Sequence, residues 1–261
     1  MSGLSFTAEA AKRLEDLYMT ADVVAQRSYA LQKLRLRPGQ AVVDIGCGPG
    51  FLCDAMAGIV GASGRIRGID LSSDLIERSA DRNPYPWASF RVGDATALDE
   101  PDESFDVVTC AQVAEYVPDV DKVLCEAYRV LEPGGRALFV ATDWDGVIWH
   151  SDEPERMAAV MKSWEGHCAH PRLPRTLAWR MESAGFTVED ASIFPILNLS
   201  WSDDSYSKGI AGFIRAYVAK RAELPGDLVA AWADELPRLS ENHRYFFSSG
   251  RFVVLASKPH G

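Results

Sequence analysis

The chain has no dense run of lysine and arginine, no C-x-x-C pair and no apolar stretch of bilayer length. Its charge leans acidic, with 27 Lys and Arg against 37 Asp and Glu in 261 residues, a formal net charge of −10. A partner held by phosphates needs clustered basic surface, so neither nucleic acid nor an anionic membrane is an expected partner. The longest uncharged stretch, Ala191 to Ser202, contains Pro195, Asn198 and Ser200 and falls short of the roughly 20 apolar residues that span a bilayer. Five cysteines, at 47, 53, 110, 125 and 168, form an odd set without metal-site spacing. Free thiols are expected, with no disulfide frame and no metal site. The opening MSGLSFTAEAAKRLEDL lacks a basic segment leading into an apolar core, and acid enters by Glu9. Neither a secretory signal nor a transit peptide fits, which makes the expected location cytoplasmic.

What is present is an ordinary globular composition, 47% hydrophobic, and a length that suits one domain with an elaboration. Short β-rich runs alternate with helical patterns, which predicts an α/β fold: a Rossmann-like, mostly parallel sheet with helices on both faces. Seven strands are expected, at 41–45, 65–70, 89–94, 105–110, 137–142, 187–194 and 251–257, the last antiparallel. Helical patterns fall at about 8–17, 21–35, 50–60, 73–82, 119–131, 153–166, 175–184, 204–221 and 226–235, with Pro133-Gly134-Gly135 closing the fifth. The expected single domain divides into N-terminal helices (1–36), a core (37–143) and a second half (144–261) with a helical cap inserted between the sixth and seventh strands.

The strongest motif is Val42-Val43-Asp44-Ile45-Gly46-Cys47-Gly48-Pro49-Gly50, a strand running into a glycine turn that opens a helix. Glycines let backbone approach a ligand closely, and a helix N-terminus offers free N–H groups to an anion. A nicotinamide dinucleotide fingerprint needs G-x-G-x-x-G, but the sixth place counted from Gly46 is Phe51. Asp44 adds negative charge where a pyrophosphate would be repelled, so the ligand should carry a cation as well as an anion. Asp70 ends the next strand, where a carboxylate can accept both hydroxyls of a ribose, and Asp94 ends the third. Three strand-end acids lie along one rim of a parallel sheet; the alternative is that each caps its following helix.

These residues resemble the class I S-adenosylmethionine-dependent methyltransferases. The stretches VVDIGCGPG, GIDLS (68–72), VGDAT (92–96), SFDVVTCAQVAEYVPD (104–119) and RVLEPGGRALF (129–139) stand in family order across roughly residues 36–143. The resemblance implies S-adenosylmethionine as cofactor and S-adenosylhomocysteine as product. Asp44 and the Gly46-Cys47-Gly48 turn would hold the methionyl end, Asp70 the ribose and Leu71 the adenine face. Asp94 with the Ala95 amide would bind the adenine edge, and Gln112 would sit near the methionyl group. The lead-in ADVVAQRSYALQKLRLRPGQ is similar to that of ubiquinone/menaquinone-type and arsenite-type small-molecule methyltransferases, in which a Tyr and an Arg close over the cofactor. Tyr18 and Arg27 match; as plain helix residues they would be solvated. Arsenite chemistry needs several thiolates on the acceptor side, whereas four cysteines fall in the cofactor half at core-like positions and only Cys168 in the variable half. The Asn/Asp-Pro-Pro-aromatic sequence of DNA-amino methyltransferases is absent at 111–114.

Candidates for the acceptor side lie where the resemblance fades. Trp144, Trp149 and Tyr206 are candidate ring contacts. His150 and His167 are candidate bases for a hydroxyl or ammonium acceptor, His150 ranking first because it follows the fifth strand. The stripe Met157, Val160, Met161 and Trp164 reads as core packing. The expected partner is a small organic acceptor methylated at O, N or C, the protein being a monomer or homodimer. The alternative is a protein that keeps the cofactor pocket for a non-methylating reaction such as cyclisation.

Overall fold

The computed structural model describes residues 8–260; the stretch MSGLSFT, read above for targeting features, lies outside them. Two helices come first, α1 (Ala8–Tyr18) and α2 (Ala21–Leu34). α2 buries Val23, Gln26, Ala30 and Leu34, a helical stripe in which one polar side chain stands among apolar ones. There follow β1 (Ala41–Ile45), α3 (Phe51–Val60), β2 (Arg65–Asp70), α4 (Ser73–Arg82), β3 (Ala88–Val92), β4 (Phe105–Ala111), α5 (Val120–Val130) and β5 (Leu131–Thr142). β1 is buried at all five positions, as a strand covered by helices on both faces must be.

The second half adds β6 (Ile148–Trp149), α6 (Pro154–Trp164), α7 (Pro174–Ser183), β7 (Thr187–Asn198), α8 (Tyr206–Arg221), α9 (Gly226–Glu241) and β8 (Phe247–Ser257). The sheet runs β3-β2-β1-β4-β5-β8, with β6 and β7 also on β8. β1 to β5 are parallel; β8 is antiparallel to β5 and β7. The expected architecture stands, with one strand more than the seven read from sequence. Two-residue β6 is too short to leave an alternating pattern.

Three further corrections concern α9, the Pro133 turn and Cys125. α9 runs to Glu241 through Pro237 rather than stopping near 235. An interior proline costs about 3 kcal/mol, and this one is outweighed by buried Trp232, Leu236 and Leu239 along the helix. Pro133-Gly134-Gly135 lies inside β5, Gly134 taking φ +80°, where the β4 register shifts between Phe105 and Val107. All five cysteines are free, but Cys125 is exposed, not core-like, because it occupies the outer face of amphipathic α5.

Arg251 of β8 pairs with Thr142, the last residue of β5. The four residues before it, 247–250, therefore project past the C-terminal rim of the parallel strands by about 13 Å. There β8 is flanked by β6 and the end of β7. Against this projection α6, α8 and α9 build a separate apolar core that includes Trp144, Trp149, Trp164, Tyr206, Ile214, Trp232 and Phe247. Met157, Val160 and Trp164 are buried in it, the packing role read from sequence.

Candidate active site

The glycine turn is shaped by close approach. Gly46 has φ +71°, and a Cβ there would lie 2.2 Å from Val113 Cγ2. The turn is anchored when the Gly46 and Cys47 amides donate to the Ile69 carbonyl at 2.7 and 2.9 Å. Asp70 accepts from Gly48 N and Ser72 N, both at 2.9 Å. These bonds fix its carboxylate at the rim, where burial raises its pKa and the backbone donors oppose the rise. Asp94 is exposed and accepts from Thr96 N at 2.8 Å. This local bonding is not the helix capping considered for the strand-end acids: Ser72 is the N-cap of α4, and the element that follows Asp94 is β4. It leaves further lone pairs on Asp70 and Asp94.

Asp44 differs. It is 2% exposed, accepts from Thr109 Oγ1 at 2.7 Å and Cys53 Sγ at 3.4 Å, and its pKa is pushed up to about 6 by burial. Among the described residues no cation lies in salt-bridge range of it. A buried carboxylate without a counter-ion is costly, and an ammonium or sulfonium arriving on a ligand would relieve that cost. Tyr18 covers the turn: a Cβ on Gly48 would lie 3.6 Å from its ring, and Arg27 Nη1 donates to the Tyr18 carbonyl at 3.3 Å. Leu71 is exposed beside Asp70. Gln112 takes φ +59°, unusual for a residue with a side chain. Its Oε1 accepts from Thr142 Oγ1 at 2.8 Å, while its Nε2 is buried without a partner. The donor set and its orphaned atoms fit the amino-acid and ribose ends of S-adenosylmethionine.

Across the rim the chemistry is less satisfied. Glu115 is fully buried; Oε1 accepts from Thr142 N at 3.4 Å, Oε2 has no partner, and burial pushes its pKa up to about 7. His167, 1% exposed, stacks on Trp164 at 3.7 Å and meets the edge of Trp144 at 4.7 Å. Its Nδ1–H donates to the Trp164 carbonyl at 2.7 Å, which leaves the Nε2 lone pair free and unpartnered. Burial lowers its pKa to about 4, so the ring is neutral. The indole N–H groups of Trp144 and Trp164 are also unpartnered. Trp149 packs on Phe247 at 4.8 Å and Tyr206 lies under Arg251 at 4.3 Å. His150 stands apart, half-exposed, with Nε2 3.8 Å from Asp152, which also holds Arg244.

Sequence reading missed Glu115 and Arg251. The available signals were a carboxylate in the apolar stretch after Gln112 and an arginine opening a strand otherwise written FVVLA. A cavity of about 330 Å³ lies at the opposite edge of the sheet, beside Arg65, Arg67 and Glu100. It is remote from these groups and plays no part in the site.

Residues 43–139 match the methyltransferase domain family. The demethylmenaquinone methyltransferase of Lysinibacillus sphaericus is 32% identical over 120 residues, 46% of this chain and 51% of that protein. The chain spans about half the length of the curated relatives it matches. Among solved structures, the phosphoethanolamine N-methyltransferase 2 of Haemonchus contortus with S-adenosyl-L-methionine superposes with TM-score 0.63. It is 19% identical and covers 97% of this chain and 57% of that one. The [4+2]-cyclase SpnF gives TM-score 0.59 at 21% identity over 92% of this chain and 82% of that one. The chain shares the fold of these solved structures. Within it, residues 43–139 are a methyltransferase domain with relatives among the menaquinone-type enzymes.

Proposed function

We propose that this chain transfers the methyl group of S-adenosylmethionine to O, N or C of a small organic acceptor, such as a quinone-like ring or secondary metabolite, in the cytoplasm. The observation that carries the reading is Asp44, a buried carboxylate without a counter-ion beside an ordered glycine turn and Asp70. Among the described residues no helix is long and apolar enough to cross a membrane. When bound, the cofactor supplies a methyl group already activated on a sulfonium. The protein's task is then alignment, exclusion of water and removal of an acceptor proton.

In this reading Asp44 balances the cofactor's positive charge, Asp70 holds the ribose, and Tyr18 with Arg27 closes the entrance. Asp94, Ala95 and Leu71 bind the adenine. Trp144 and Trp164 form an apolar wall for the acceptor, with Trp149 and Tyr206 beneath it. His167 Nε2 accepts a hydrogen bond from the acceptor's hydroxyl or amine. Glu115, buried yet near neutral in pKa, takes the proton. His150, beside Asp152 and Arg244 at the surface, serves as the control position.

The test is binding and turnover. Wild type should bind S-adenosylhomocysteine in calorimetry, and Asp70→Ala should weaken it by roughly 2–4 kcal/mol through the loss of two charge-assisted hydrogen bonds. Unchanged affinity would remove Asp70 from the site. The cyclisation alternative gives turnover with no S-adenosylhomocysteine formed, so following that product separates the two readings.

A further inference from the structure

Among the described residues two cationic side chains are buried, Lys258 at 8% and Arg251 at 2% exposure. Lys258 is conventionally satisfied, pairing with Glu103 at 3.0 Å and donating to the Tyr128 and Leu131 carbonyls. Arg251 has no carboxylate within 4 Å among the described residues. Its Nε donates to Gln26 Oε1 at 2.9 Å and its Nη1 to Thr142 Oγ1, and its guanidinium lies over Tyr206. A guanidinium stays charged at any physiological pH, and a charge out of water calls for a counter-ion.

The neighbouring charges do not supply one. Glu115 and Arg251 both hold Thr142 but do not pair, and burial weakens Glu115 as an anion. The Tyr18 phenol, raised first by burial, is acted on by Asp70, Arg251, Asp44 and Glu115 together. Arg251 is held at the C-terminal rim itself, opposite Thr142 at the end of β5. Thr142 Oγ1 links it to Gln112, whose Nε2 is buried without a partner.

We propose that Arg251, with Gln112 Nε2 beside it, binds an anionic group on the acceptor, so that the substrate is a small carboxylic acid with an apolar body. The arrangement explains why a polar Gln26 interrupts the buried stripe of α2: it holds the guanidinium toward the rim. The acid lies against Arg251 and the apolar body against the aromatic wall. This rests on the methyl-transfer reading, whose own test is S-adenosylhomocysteine binding.

The experiment measures Kd by calorimetry on protein saturated with S-adenosylhomocysteine, using benzoate, salicylate, naphthoate and octanoate and the methyl ester of each. At least one acid should bind with its ester more than tenfold weaker. Arg251→Gln should weaken that acid by roughly 10- to 100-fold, and Arg251→Lys by less, both variants keeping wild-type circular dichroism. Acids binding no better than their esters, or equally well to Arg251→Gln, would overturn the proposal while cofactor binding stands. A second source of carboxylate is the cofactor's own amino-acid end, so S-adenosylhomocysteine is compared with 5′-methylthioadenosine, which lacks it. If Arg251→Gln weakens only the former, the guanidinium belongs to the cofactor and the proposal fails. Because the acid–ester comparison is made first on wild type, a misfolded variant does not shelter it.

Discussion

The two sides of the rim are built on opposite terms. On the cofactor side, Asp70 and the glycine turn are hydrogen-bonded to nearby backbone before any ligand arrives. On the acceptor side, Glu115 Oε2, His167 Nε2 and the indole N–H groups of Trp144 and Trp164 are buried without partners. Native interiors hold few such atoms. The first side is held rigid at its turn yet keeps an unpaired charge at Asp44 and an unpartnered donor at Gln112, while the second is lined by buried polar atoms without partners.

Glu115 offers the sharpest way to break that comparison. Glu115→Gln should lower kcat by about 10² to 10⁴, the usual range for a lost general base. The same change should stabilise the ligand-free protein. A carboxyl whose folded pKa is raised from 4.5 to about 7 binds more protons folded than unfolded. Stability is therefore lost as pH rises from about 4.5 to 7, and the loss is complete above 7. Chemical denaturation should find Glu115→Gln more stable by roughly 1–3 kcal/mol at pH 8 and equal to wild type below pH 4.5. A variant that is slow but no more stable at pH 8 would mean that Glu115 is already satisfied.

A smaller effect is expected on the rigid side. Gly46→Ala forces a Cβ into Val113 at a positive φ and should cost about 2–4 kcal/mol of stability, with loss of S-adenosylhomocysteine binding. Adding Val113→Ala removes the steric part but not the backbone strain, so the double variant should recover only partly. Complete recovery would show that contact, not conformation, fixes the turn. The smallest effect belongs to His167→Asn. Losing one hydrogen-bond acceptor while keeping a donor for the Trp164 carbonyl should raise KM for the acceptor by roughly tenfold and leave cofactor affinity unchanged. His150→Ala, the paired control, should alter neither, and an equal effect at both positions would erase the distinction between wall and surface.

The same division decides what could be read in advance. The glycine turn, Asp44 and Asp70 lie within a stretch of 27 residues, and their geometry follows from local rules: strand, positive-φ turn, helix start. β1 and β2 were legible to the residue for that reason. The acceptor side is assembled from distant segments. Arg251 meets Gln26 across 225 positions and Thr142 across 109, and no periodicity connects them. His150 ranked first by its distance along the chain from β5, yet the chain turns into β6 and carries it to the surface. His167, seventeen residues later, folds back against Trp144. α9 runs past 235 because burial against α8 and the more distant α6 outweighs the local cost of Pro237.

The place of β8 has a consequence in time. β5 lies in the interior of the finished sheet, but its second neighbour is the last strand of the chain, Thr142 meeting Arg251 only after the intervening residues exist. Pairings this distant in sequence close slowly. Until they close, β5 presents an open hydrogen-bonding edge, and newly made chains are exposed to edge-to-edge aggregation. Yield during expression should therefore respond more to changes that slow the docking of 247–257 than to equally destabilising changes around the glycine turn.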